Sequence, residues 1–136
     1  MNKGLLYALL AYASASLFHH VHNATFLAAY PNMPPGLSML GVYAAWGAVT
    51  AVGVIGYALV RMGYGGPGLL LLAVYGGCGL DGLAHYVVAE FSAHSLLMHL
   101  SILSEVVTGL LLIALCIRAA LHAKKAGTFD RPVQPG

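Results

Sequence analysis

The sequence predicts an all-α integral membrane protein, an antiparallel four-transmembrane-helix bundle with both termini cytoplasmic. Three observations predict it. The 136 residues are 60% hydrophobic and only 7% charged, where soluble domains carry about 25% charged residues. The mean hydropathy is +0.82. Four apolar stretches each reach the roughly 20 residues that a helix needs to cross a bilayer. A single domain is expected at this length, with helices over 1–122 and a loose cytoplasmic tail over 123–136.

The first helix is placed near 4–29. It is too long and too rich in histidine for a cleaved leader, so it is read as retained. It stops at Y-P-N-M-P-P-G, residues 30–36, where proline and glycine break the pattern. The second helix, near 37–61, has no ionisable group between Leu37 and Val60. It carries many small residues instead: Gly41, Ala44, Ala45, Gly47, Ala48, Ala51, Gly53 and Gly56. Small faces let helices approach closely in lipid, so this helix packs inside the bundle or against a second copy or a larger membrane complex. The third helix is placed near 67–90, after R-M-G-Y-G-G-P, and the fourth near 95–118, after the short link F-S-A-H. Backbone at membrane depth must satisfy its own hydrogen bonds, which makes these segments helices. Their short links make neighbours antiparallel.

Orientation follows from the basic residues. Lys3, Arg61, Arg118, Lys124, Lys125 and Arg131 fall on one side, and the links 30–36 and 91–94 contain no Lys or Arg. The positive-inside rule predicts a bacterial inner-membrane protein with those two links on the periplasmic side. Tyr30 and Tyr43 suit one interfacial belt, and Tyr57 and Tyr64 the other. There is no basic stripe interleaved with aromatics, so nucleic acid is excluded as a partner and membrane lipid is the expected surrounding. Cys78 and Cys116 lie apart in apolar segments and are read as buried thiols.

Chemistry is concentrated in two short runs. Residues 78–105 contain three of the four acidic groups (Asp81, Glu90, Glu105) and three of the seven histidines (His85, His94, His99). H-H-V-H-N at 19–23 supplies His19, His20, His22 and Asn23. Ionisable groups at membrane depth are expensive and mark functional sites. At 100° per residue, Cys78, Asp81 and His85 share a stripe, as do His19, His22 and Asn23, while His20 points a quarter-turn or more away. On the fourth helix His94, Met98, Ser101, Glu105 and Thr108 align, so His99 and Glu105 cannot both aim at one spot.

Counting about 1.5 Å per residue from the periplasmic ends puts His22, His85 and His99 in one layer. His19, Asp81 and Glu105 fall about 6 Å deeper. Imidazole with carboxylate is a donor set for copper, iron or zinc. The predicted ligands of one or two such ions are His19, His22, Asp81, His85 and His99, with His20, Asn23, Glu90, His94 and Glu105 as further candidates. Asp81 and Glu105 are also the candidate catalytic acid or base. Glu90 and His94 fall at the interface, where water competes for them. Met33, Met39 and Met98 are soft donors at the same end but are read as packing.

Three functions fit these residues: a metal-dependent oxidoreductase acting on a lipid, quinone or small diffusible substrate, a metal transporter or delivery protein, and a haem- or chlorin-binding electron-transfer subunit. The periplasmic half lacks the Lys or Arg that haem propionates use, which weakens the third.

Overall fold

The structure, a computed structural model, describes residues 3–126, all helical apart from the links. Four segments are long and apolar enough to cross a membrane: Lys3–Thr25, Met39–Arg61, Gly65–Val88 and Leu96–Lys125. We call the first α1, the second α2 and the last α5. The third is composite, with α3 over Gly65–Cys78, a 3-10 segment over Gly79–Ala84 and a single turn, α4, over His85–Val88.

The starts of α2 and α5 follow from side-chain capping. The Ser38 hydroxyl accepts the Gly41 N–H at 3.1 Å. Ser95 accepts the Met98 N–H at 3.3 Å, and the Met98 sulfur accepts the Ser95 N–H at 3.4 Å. Each cap satisfies N–H groups that the first helical turn leaves free.

The order of contacts shows the antiparallel packing. Along α2 and α3, Gly53 meets Tyr75, Gly56 meets Leu72 and Val60 meets Gly68. Along α1 and α5, His19 meets Ser101 while Tyr12 lies against Gly109. The crossing of α3 and α5 brings two backbones together. A methyl group at Gly76 would stand 2.8 Å from the Gly109 carbonyl oxygen, and one at Gly109 2.5 Å from the Gly76 oxygen. Lipid supplies no hydrophobic drive for helix association, so backbone approach of this kind is what holds such a pair. Leu5, Leu9, Tyr12, Leu69, Leu72, Tyr75, Leu112 and Cys116 fill the half of the bundle that contains Arg61 with an apolar core.

Some sequence expectations shift. The first helix ends at Thr25, not 29, and a separate 3-10 turn covers Leu27–Ala29. The third is not one α-helix over 67–90. Gly79 and Gly82 give it little side-chain volume there, and the tighter winding lays Gly79 directly against Tyr12 and the Glu105 carbonyl. The last helix continues past 118 to Lys125, so the tail does not begin at 123, and residues 127–136 lie outside the described residues. Tyr30 is not an interfacial anchor, because it is buried, 3% exposed, under the link between α1 and α2. That link is tied down by Asn32, which takes a left-handed φ of 54° and donates its amide to the Val88 carbonyl at 2.8 Å.

The Gly76–Gly109 crossing generates a test. Gly76→Ala should lower stability by about 1–3 kcal/mol, as overpacking does. Gly47→Ala, whose methyl would meet nothing within 4 Å, should be silent. Unfolding in mixed micelles of increasing sodium dodecyl sulfate measures both.

Candidate functional site

The two polar runs meet in the half of the bundle opposite Arg61. His19 and His20 stand on α1 between one and two turns from its end at Thr25, and Glu105 faces them from α5. The His19 Nε2 atom lies 3.8 Å from Glu105 Oε2, and His20 Nδ1 lies 3.8 Å from Glu105 Oε1. Glu105 and His19 are buried, and His20 is half-buried. Gly82 lies beside the carboxylate, where a Cβ would stand in ordinary contact, 3.7 Å from Oε2.

Hydrogen bonds assign the ring protons. Ser101 donates its hydroxyl proton to the Met98 carbonyl at 2.9 Å. Its oxygen is therefore free to accept from His19 Nδ1, 3.3 Å away. That leaves the lone pair of His19 on Nε2, the atom facing Glu105. His20 Nδ1 donates to the Ser16 carbonyl at 2.9 Å, which leaves its Nε2 lone pair bare. His94 Nδ1 donates to the Glu90 carbonyl at 3.0 Å, and its buried Nε2 has no partner among the described residues.

A cavity of about 400 Å³ opens beside this group. Its polar wall carries His19, His20, Asn23, Cys78, Asp81, His85 and Glu105, and its apolar wall carries Met33, Pro34, Leu37, Val42, Ala45 and Val49. The Asn23 amide nitrogen donates to His85 Nε2 at 3.4 Å. The His85 ring also packs on His19 at 5.5 Å and on Tyr30 at 4.9 Å between centroids.

Over this group lies a small roof. The Tyr30 hydroxyl is hydrogen-bonded to His22 Nδ1 at 2.8 Å and stands 3.5 Å from Ser101 Oγ. Burial holds the Tyr30 phenol above its ordinary range, so it remains a proton donor.

The structure thus brings His19, His20, Asn23, Asp81, His85 and Glu105 to one cavity. His22 sits just above it with its Nδ1 bonded to Tyr30. His99 does not line it. It stacks on Phe91 at 3.9 Å, and its Nδ1 lies 2.8 Å from the Tyr86 hydroxyl. His94 is buried rather than solvated. It lies between His85, at 6.2 Å, and Tyr86, at 5.2 Å. Glu90 is exposed and accepts from the Ser92 hydroxyl at 3.4 Å. Among the described residues, no group of three or more His, Cys, Asp or Glu side chains already stands in position to hold a metal ion.

Sequence reasoning missed Tyr30 and the bonds made by Ser101. Ser101 shares a stripe with Glu105, which was the available signal, whereas nothing local shows that Tyr30 folds back eight residues onto His22. Comparison with protein families, curated proteins and solved structures finds no match.

Tyr30→Phe should cost about 1–2 kcal/mol, because it leaves His22 Nδ1 buried without its hydroxyl partner. Tyr43→Phe, on an exposed face, should be neutral. Melting temperatures in one detergent compare the two.

Proposed function

We propose that the protein is an integral membrane metalloprotein. It holds copper, iron or zinc, as one or two ions, between His19 and Glu105, and works as an oxidoreductase on a lipid, quinone or small diffusible substrate. One observation carries this reading. The lone pair of His19 Nε2 and the Glu105 carboxylate face each other across 3.8 Å. With Glu105 ionised both are acceptors, and a cation between them satisfies both. Ligand bonds of about 2.0–2.2 Å in a tetrahedral site place two donors about 3.3 Å apart. Closing on an ion therefore asks for a side-chain shift of only about half an ångström. The bare Nε2 of His20, with Asp81 and His85 on the same cavity wall, can complete the set by rotation about their side-chain bonds.

A cation also answers the membrane's demand. An uncompensated carboxylate at the centre of a span costs on the order of 2.5–3.5 kcal/mol by insertion scales, and the buried Glu105 faces the same cavity as the exposed Asp81. Asp81 and Glu105 are the groups placed to move a proton there. The apolar core built on Leu72, Tyr75 and Leu112 lies below the cavity, which favours a reaction confined to one half of the bundle over transport through it.

Lys3, Arg61, Arg118, Lys124 and Lys125 lie at the opposite end, so the site belongs near the periplasmic face of an inner membrane. The exposed small residues Ala44, Gly47, Ala48 and Ala51 of α2 suit a second copy or a larger complex.

Elemental analysis of the purified protein should find transition metal near stoichiometry. Glu105→Gln keeps the shape and removes the charge, and should weaken metal binding by about tenfold or more. Asp81→Asn should weaken it in the same direction, while His122→Ala, at the far end of α5, should change nothing. Full metal content in Glu105→Gln would sink the assignment.

Topology has its own test in a cysteine-free background. An impermeant maleimide applied to intact cells should label Pro35→Cys and leave Lys125→Cys unlabelled. The reverse pattern would turn the site to the cytoplasmic face.

A further inference from the structure

The cavity has more room than an ion needs, and its walls are unlike each other. Asn23 is 7% exposed and lies in its wall. Its amide nitrogen is engaged by His85, but its carbonyl oxygen is buried with no partner among the described residues. A buried acceptor left bare costs about 1–3 kcal/mol, so it calls for a donor from outside the chain. Apart from the weakly donating Cys78 thiol, the neighbouring groups on that wall offer acceptors too: the Asp81 and Glu105 carboxylates and the lone pairs of His19 and His20. Among the described residues no Lys or Arg lines the cavity. Opposite stand the apolar Met33, Pro34, Leu37, Val42, Ala45 and Val49, with Asn32 beside them, its amide nitrogen already given to the Val88 carbonyl.

We infer that the cavity binds a hydroxyl-headed lipophile of the alcohol, phenol or quinol class. The head donates to Asn23 Oδ1 and the apolar body lies along α2. The polar wall selects the head. A neutral hydroxyl supplies the missing donor, whereas a carboxylate or phosphate head brings negative charge against Asp81 and Glu105 with no cationic side chain to receive it. A pocket that is largely apolar with a few convergent polar groups is the usual form of a small-molecule site. This deepens the metalloprotein reading by naming its substrate class, and rests on that reading only for what happens to the head once bound.

The test uses 4-octylphenol and 4-octylbenzoate, which share ring and tail and differ in the head. Each is equilibrated with the full-length protein in lipid nanodiscs. Bound ligand is counted by native mass spectrometry against empty nanodiscs, and metal is measured in the same samples. Wild type should take up one phenol per chain and bind the benzoate about tenfold more weakly. Ala45→Phe, which fills the apolar wall, and Asn23→Leu, which removes the acceptor, should each weaken phenol binding by about tenfold. Ala45 is exposed, so the added ring has space in the fold. Ala45→Phe should keep its metal. Equal binding of the two heads, or unaltered phenol binding in both variants, overturns the inference. Phenol binding with this selectivity in protein that holds no metal supports it while removing the metal reading.

Discussion

A carboxylate buried in a membrane bundle is the constraint on which the other features of this structure depend. Glu105 is 3% exposed and is flanked at 3.8 Å by two histidines of α1. Placing His19 and His20 there requires α1 and α5 to run antiparallel and close, with Tyr12 of α1 against Gly109 of α5. It also requires the third span to come near without filling the space. The 3-10 winding over Gly79–Ala84 does this, since Gly79 and Gly82 are the residues that meet Tyr12 and the carboxylate. The glycine crossing, the 3-10 segment and the acidic site are therefore parts of one arrangement.

The bundle is divided along its length. One half is an apolar core in which Leu72, Leu112 and Tyr75 are essentially inaccessible. The other contains six of the seven histidines and, among the described residues, every acidic side chain, together with a cavity and a roof made from the link between α1 and α2. Tyr30 and Asn32 join that link to His22 and to Val88, so the roof is bonded to the elements that carry the site.

Beside the cavity lies an aromatic group of Tyr86, Phe91, His94 and His99. It separates the cavity from the link end of α5 and holds His99 away from Glu105. Six residues of helix turn through about 600°, so a residue that far before Glu105 cannot share its direction. With Glu105 turned to His19 and His20, His99 is left to pack on Phe91.

Much of this was determined by the sequence alone. Composition and apolar run length specify four spans, because an apolar stretch of about 20 residues has little alternative to a membrane helix. The cost of burying charge made H-H-V-H-N and the 78–105 run candidates for one site, and the 100° step already showed that either His99 or Glu105 would face it. Which of them, only the tertiary structure decided. The choice depends on the rotation of α5 about its own axis, and that is set by the contact of Gly109 with Gly76, a backbone fit that no hydropathy pattern encodes. The same holds for His20. Its position relative to His19 on the helix was legible, but the place of Glu105 near both rings was not. The 3-10 winding at Gly79–Ala84 and the return of Tyr30 onto His22 were hidden for a related reason. Each is stabilised by partners far away in the chain, Tyr12 and Glu105 in one case and Ser101 in the other, and local propensity carries no record of partners at such separations.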